Sequence, residues 1–119
     1  MTSILCISRH SPYANALARE ALEAVLAAAA FEQKIALLLM DEGLWQLKDQ
    51  QQPHASQQKN LAKNLNALEM FGIETVYAHK PSAEQRGITA QTICIDSVCW
   101  LNNQEVQQLM AQYDHLLSF

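Results

Sequence analysis

The sequence predicts an α/β domain, a parallel sheet layered by helices, and three observations predict it. Apolar runs of strand length alternate along the chain with helix-length amphipathic segments. The run Lys34 to Met40 is apolar without alternation, as expected of a strand covered on both faces. The length of 119 residues, half of them hydrophobic and only 17% charged, suits one compact domain spanning 1–119 with a sizeable core.

The elements follow in order. Ser3 to Ser8 is a short apolar run ending in the polar turn Arg9-His10-Ser11-Pro12. Ser11 before Pro12 is a helix start, a hydroxyl to cap free N–H groups and then a residue that lacks one. Ala14, Leu17, Ala18, Ala21, Leu22, Val25 and Ala29 recur at three and four, giving the first helix, with Arg19 and Glu23 paired on another face. The second strand, Lys34 to Met40, stops at the turn Asp41-Glu42-Gly43. A Gln-rich loop, Gln50 to Gln58, precedes a helix beginning near Ser56 that carries Leu61, Leu65 and Leu68 on one side and stops at Gly72. Ile73 to Ala78 is the third strand, ended by Lys80-Pro81; Arg86-Gly87 is a turn, and Gln91 to Ile95 is the fourth strand. Asn102 and Glu105 have capping-box spacing, with Leu101 and Val106 as a hydrophobic staple for a last helix whose stripe is Val106, Leu109, Met110 and Tyr113. Asp114 breaks that helix, and His115 to Phe119 is the fifth strand. The coarse architecture is flavodoxin-like.

Composition narrows the function. Eight Lys and Arg against twelve Asp and Glu give a net charge of −4, which argues against bulk electrostatic grip on nucleic acid. The apolar content excludes a disordered chain, and the low charge content suggests that part of the surface does not face water. The longest Ala/Leu-rich stretch, Ala24 to Phe31, is far short of a membrane span of about 20 residues. Met1-Thr2-Ser3 brings no basic cluster ahead of an apolar run, so no secretory signal is expected, and three cysteines make no disulfide framework. A cytoplasmic protein is the expectation.

In an open parallel sheet, ligands meet the carboxyl ends of the strands. That gathers Arg9 to Tyr13, Asp41 to Trp45, Ala78 to Pro81 and Asp96 to Cys99 at one edge. The first segment precedes a helix start and could attract an anion, but it holds no glycine, so neither a P-loop nor a dinucleotide fingerprint is present and no cofactor is expected. A phospho-receiver would need carboxylates after the first strand, where Ser8-Arg9-His10 stands instead; Asp41 then reads as part of a solvated turn. Cys6 and Cys94 lie between apolar strand neighbours and read as core. Cys99, placed beyond the fourth strand and before a capped helix, is the one candidate for a catalytic thiol, although Val98 and Trp100 beside it suggest packing. His10, His54, His79 and His115 are scattered, and no metal motif appears. His79, at the carboxyl end of the third strand, reads either as a loop histidine or as a group that donates a proton to, or stabilises, an anionic sulfur. Tyr13 and Trp45 are aromatics of the same edge, suited to packing or to an interface.

The order of segments resembles the DsrE/DsrF-like family, and within it the TusC/DsrF branch of sulfur-relay complex subunits. The residues that carry the resemblance are Ser11-Pro12-Tyr13, Ala18 to Ala24, Asp41 to Leu47, Pro53, Ala67 to Ile73, Arg86-Gly87-Ile88 and Tyr113 to Phe119, nearly end to end. The resemblance implies a three-layer α/β/α domain around a five-stranded parallel sheet. It implies assembly with TusB/DsrH-like and TusD/DsrE-like subunits, two copies of each, in a heterohexamer-type complex that passes persulfide sulfur between carrier proteins. The sulfur goes toward 2-thiolation of the wobble uridine of tRNA, or serves sulfur oxidation in the Dsr branch. In such relatives the carrier cysteine of the TusD/DsrE-like subunit lies ahead of the Arg-Gly turn. The matching position here is around His79, and no cysteine lies between Ala78 and Arg86. The expectation is therefore a structural, non-catalytic subunit, with Ser11, Tyr13, Asp41, Trp45 and His79 lining the site or an interface and no direct contact with nucleic acid or membrane. The competing expectations are a self-sufficient persulfide carrier using Cys99 and a small anion-binding module resting on the Ser11 helix start.

Overall fold

The computed structural model describes residues 3–10, 17–31, 34–47, 68, 72–73, 75–89 and 98–119. Five parallel strands form one sheet in the order β4-β3-β2-β1-β5: β1 Ser3–Ser8, β2 Lys34–Leu39, β3 Val76–His79, β4 Val98–Leu101 and β5 His115–Ser118. Three helices are described, α1 Leu17–Ala30, α2 Lys80–Gln85 and α3 Asn103–Ala111, with a 3₁₀ helix at Asp41–Gln46. The chain lays down β1 to β4 outward in one direction, then crosses back to place β5 on the other side of β1. The flavodoxin-type order, 2-1-3-4-5, instead reverses after its second strand.

The alternation of strand side chains divides the core in two. On one face Cys6, Leu37, Leu39, Val76 and Ala78 pack with Ala21, Leu22 and Val25 of α1, Ala83 of α2, and Leu44, Leu47, Leu68 and Ile88. On the other, Leu5, Ile7, Ala36 and Leu38 pack with Leu101 and with Val106 and Leu109 of α3. The sheet is thus a middle layer between helices, and β1 and β2 read as unbroken apolar runs because both their faces are covered.

Local chemistry accounts for the ends. The Asn102 side chain accepts the Glu105 N–H at 2.8 Å while the Glu105 carboxylate accepts the Asn102 N–H at 3.0 Å, so the expected capping box is formed. The expected staple pair, Leu101 and Val106, is buried in the second core. Asp114, where α3 has ended, accepts the Ser3 N–H at 2.9 Å and the Ser3 hydroxyl at 3.2 Å, and returns its own N–H to Ser3 Oγ at 3.1 Å. Gly87 closes the turn after α2 at φ +69°, a conformation other residues adopt only with strain.

Three expectations need correction. β3 starts at Val76 rather than Ile73 and runs on through His79. Lys80-Pro81 does not lead into a loop but opens α2, because proline near a helix start lacks only an N–H that has no intrahelical partner there. The fourth strand is Val98–Leu101, whereas the expected strand at 91–95 lies outside the described residues. Cys99 is therefore the second residue of β4, paired with Tyr77, and not a loop residue beyond the sheet. The Ser11 helix start, Tyr13, Cys94, the Gln-rich loop and nearly all of the helix expected from Ser56 also lie outside the described residues.

Candidate functional site

At the carboxyl edge, the ends of β1 and β2 are drawn together by backbone. The Met40 N–H donates to the Ser8 carbonyl at 3.1 Å, and the Gly43 N–H to the Met40 carbonyl at 2.8 Å. Asp41, at φ +51°, turns the chain so that the 3₁₀ helix runs across the end of β1. Gly43 is buried against that strand end: a Cβ here would stand 2.1 Å from the Ser8 carbonyl oxygen. The Gln46 amide then reaches under the turn to donate to Ser8 Oγ at 2.7 Å and to the His10 carbonyl at 3.3 Å.

α2 packs against this 3₁₀ helix through side chains. Arg86 Nη2 donates to Glu42 Oε1 at 2.9 Å, Trp45 Nε1 donates to Glu42 Oε2 at 2.8 Å, and Arg86 Nη1 donates to the Ser82 carbonyl at 3.1 Å. The Arg86 hydrogen bond above all, followed by its charge and the Trp45 N–H, holds the Glu42 carboxyl below its ordinary pKa. Glu42 therefore stays ionised as the shared acceptor of an arginine and an indole.

His79 stands at the centre of this edge as the last residue of β3. Its Nδ1 lies 2.5 Å from Ser82 Oγ and its Nε2 lies 2.5 Å from Asn103 Oδ1, so one imidazole joins α2 to α3 across the end of the sheet. Ser82 is buried and also accepts the backbone N–H of Asp41 at 3.0 Å, which connects the start of the 3₁₀ helix to the same group. His79, Asp41 and Trp45 are thus brought to one edge, Asp41 through its backbone and Trp45 through Glu42. Ser82 and Asn103 were missed by the sequence reading. The spacing His79-x-x-Ser82, at a strand-to-helix junction with proline between, was the signal available for Ser82. Beside α2 a cavity of about 330 Å³ opens between Lys80, Ala83, Glu84, Ile88, Thr89 and Trp100.

The thiols lie elsewhere. Cys6 is wholly buried in β1, its thiol pointing to the Ala21 carbonyl at 3.8 Å, and burial pushes its pKa up to about 12. Cys99 is half-buried within β4 and packs on the second core, with Tyr77, Met110 and Tyr113 on the same face. Burial, together with Tyr77, raises the pKa of Tyr113. No cysteine among the described residues stands at the edge occupied by His79.

A domain of this topology and size, with its polar contacts concentrated at the carboxyl edge, has clear relatives. The DsrE/DsrF-like family matches residues 2–119, and the chain belongs to it. It is 38% identical over 116 residues to the protein named Protein TusC homolog of Pseudomonas aeruginosa, covering 98% of this chain and 97% of that one. It is 30% identical over 119 residues to the Protein TusC homolog of Vibrio parahaemolyticus, covering all of both. The fold superposes on the crystal structure of the ychN protein from E. coli with a TM-score of 0.85 over the whole of both chains, at 23% identity.

Proposed function

We propose that this chain is the TusC-like subunit of a cytoplasmic sulfur-relay complex, a single-domain structural partner that completes the assembly without carrying sulfur itself. The observation that carries the reading is the chemistry at the end of β3. Where a carrier subunit of the family places its cysteine, this chain has His79, and both of its ring nitrogens are engaged by neighbouring helices. An imidazole cannot hold a persulfide, whereas a hydrogen-bonded imidazole can shape or polarise a site shared with another subunit. The buried Cys6 and the strand-bound Cys99 support the same division of labour.

The surface supports assembly. Phe31 is 81% exposed, and Leu116 and Leu117 are about half exposed on the outer strand β5. Few charges and several large exposed apolar side chains fit a subunit enclosed by different partners. Those partners are TusB/DsrH-like and TusD/DsrE-like chains, and the product sulfur is destined for 2-thiolation of the wobble uridine of tRNA. With a net charge of −4, this subunit leaves contact with the tRNA to other proteins.

Co-expression with a tagged TusD-like chain and a TusB-like chain tests the proposal. The expected result is stoichiometric co-elution, with a one-sulfur adduct on the TusD-like chain and none here after exposure to a persulfide donor. A chain that elutes alone overturns the reading. An adduct on this chain that disappears in Cys99→Ser replaces it with the self-sufficient carrier.

A further inference from the structure

We propose that Ser82 and Asn103 are positioning residues that hold His79 as its Nε2–H tautomer, so that this edge offers one ring N–H to an anionic sulfur of the thiolate class. The sulfur acceptor rests on the sulfur-relay reading above; the tautomer follows from hydrogen-bond valence alone.

The Asn103 Oδ1 has no proton to give, so the His79 Nε2 beside it must carry one. A neutral imidazole has a single N–H, and that proton is now placed. Nδ1 is then an acceptor, and the Ser82 hydroxyl faces it. Ser82 can supply that proton because its oxygen already accepts the Asp41 backbone N–H, which leaves its own O–H free to point at the ring. Every donor in the chain Asp41 N–H, Ser82 O–H, His79 Nε2–H thus finds one acceptor, and the direction of the chain is fixed from the buried end outward.

The two ends differ in how firmly they hold. Ser82 is only 3% exposed and is anchored by backbone on α2. Asn103 is exposed at the first turn of α3, and the helix is capped by its neighbour Asn102. The Asn103 carboxamide can therefore turn away without disturbing the cap, while Ser82 keeps the ring in place. What it uncovers is an N–H aimed outward at the edge, poised to donate to an anion on another chain. Ser82 sets the tautomer and Asn103 occupies the donor until a stronger acceptor arrives, since charge-assisted hydrogen bonds are about twice as strong as neutral ones.

Long-range ¹H–¹⁵N spectra of the imidazole rings in the full ¹⁵N-labelled chain test this, with the His79 signals identified by their loss in His79→Gln. Wild type is expected to show a protonated Nε2 and an unprotonated Nδ1. Ser82→Ala is expected to give a mixture of tautomers, and Asn103→Ala to keep the Nε2–H form. An Nδ1–H ring in the wild type overturns the proposal, and that spectrum decides even where Ser82→Ala does not fold. Hydrosulfide is the probe for the acceptor, with acetate as the carboxylate comparison. A saturable shift of the His79 signals with hydrosulfide, larger in Asn103→Ala than in wild type and weak with acetate, is expected. No shift with hydrosulfide in either protein overturns the sulfur acceptor. Because these spectra use the isolated chain, their outcome is separate from whether the chain co-elutes with partners.

Discussion

At position 43 the 3₁₀ helix crosses the end of β1 with no room for a side chain, since a Cβ would meet the Ser8 carbonyl oxygen at 2.1 Å. That oxygen also accepts the Met40 N–H, so it cannot move aside without losing a backbone hydrogen bond. Gly43→Ala is expected to destabilise the protein by about 2 kcal/mol or more, read as a lower urea midpoint at unchanged slope. With its pKa near 12 and no exposed surface, Cys6 should resist iodoacetamide at pH 8 in the native protein while the half-buried Cys99 is labelled, as peptide mass mapping would show. Equal labelling of both would contradict the burial of Cys6. The core role of Cys6 was legible because Leu5 and Ile7 flank it in a run of strand length. The place of Cys99 was not legible: Val98 and Trp100 beside it read as packing next to a strand, and only the pairing of Tyr77 with Cys99 puts it within β4. Ser82 was hidden for another reason, since a serine after Lys-Pro reads as loop until the helix it stands on is known.

Among the elements, the start of α3 was the most fully written in the chain, because capping box and staple agree on it, whereas Tyr113, expected on the helix stripe, lies beyond the helix end at Ala111. Asn102→Ala and Glu105→Ala are each expected to cost about 1 kcal/mol, and the double variant less than the sum, since each side chain satisfies the other's backbone. Thermal melts of the two single variants and the double variant check this. α2 escaped notice because six residues are too few to show a 3.6-residue period, and its content, Lys-Pro-Ser-Ala-Glu-Gln, resembles a turn. Its existence is decided by tertiary contacts, Ala83 in the core and Arg86 on Glu42. Arg86→Ala should free one oxygen of the Glu42 carboxylate that accepts the Trp45 N–H, so a change in Trp45 fluorescence, followed in a Trp100→Phe background, is expected without loss of the fold.

For the whole molecule, the pair Ser3 and Asp114 joins the start of β1 to the segment leading into β5. The Ser3 N–H, then its hydroxyl, holds the Asp114 carboxyl below its ordinary pKa, with smaller help from the charges of His115 and Lys34. The folded state consequently binds fewer protons than the unfolded one in the range below the unfolded value of about 3.9. Its contribution is present above that range and is lost as pH falls through the depressed folded value. Asp114→Asn is expected to lower the Tm at pH 7, and the gap from wild type should shrink toward pH 2; a constant gap would rule out this linkage. The three-layer arrangement was legible from the alternation of elements, whereas the strand order was not, because right-handed crossovers permit several orders for the same sequence of elements.

The strand order β4-β3-β2-β1-β5 also bears on time. Neighbours β1 to β4 can zip in sequence, but β5 pairs with β1 across more than a hundred residues, as in Ile4 with His115. The entropy of closing so long a loop makes this pairing the slow and late one. β5 should therefore be unformed at the folding barrier. Leu116→Ala is expected to speed unfolding while leaving the refolding rate nearly unchanged, whereas Leu38→Ala, in the central β2, should slow refolding. At the folding barrier the outer edge of β1 is then bare, and aggregation at high concentration is expected to start from it.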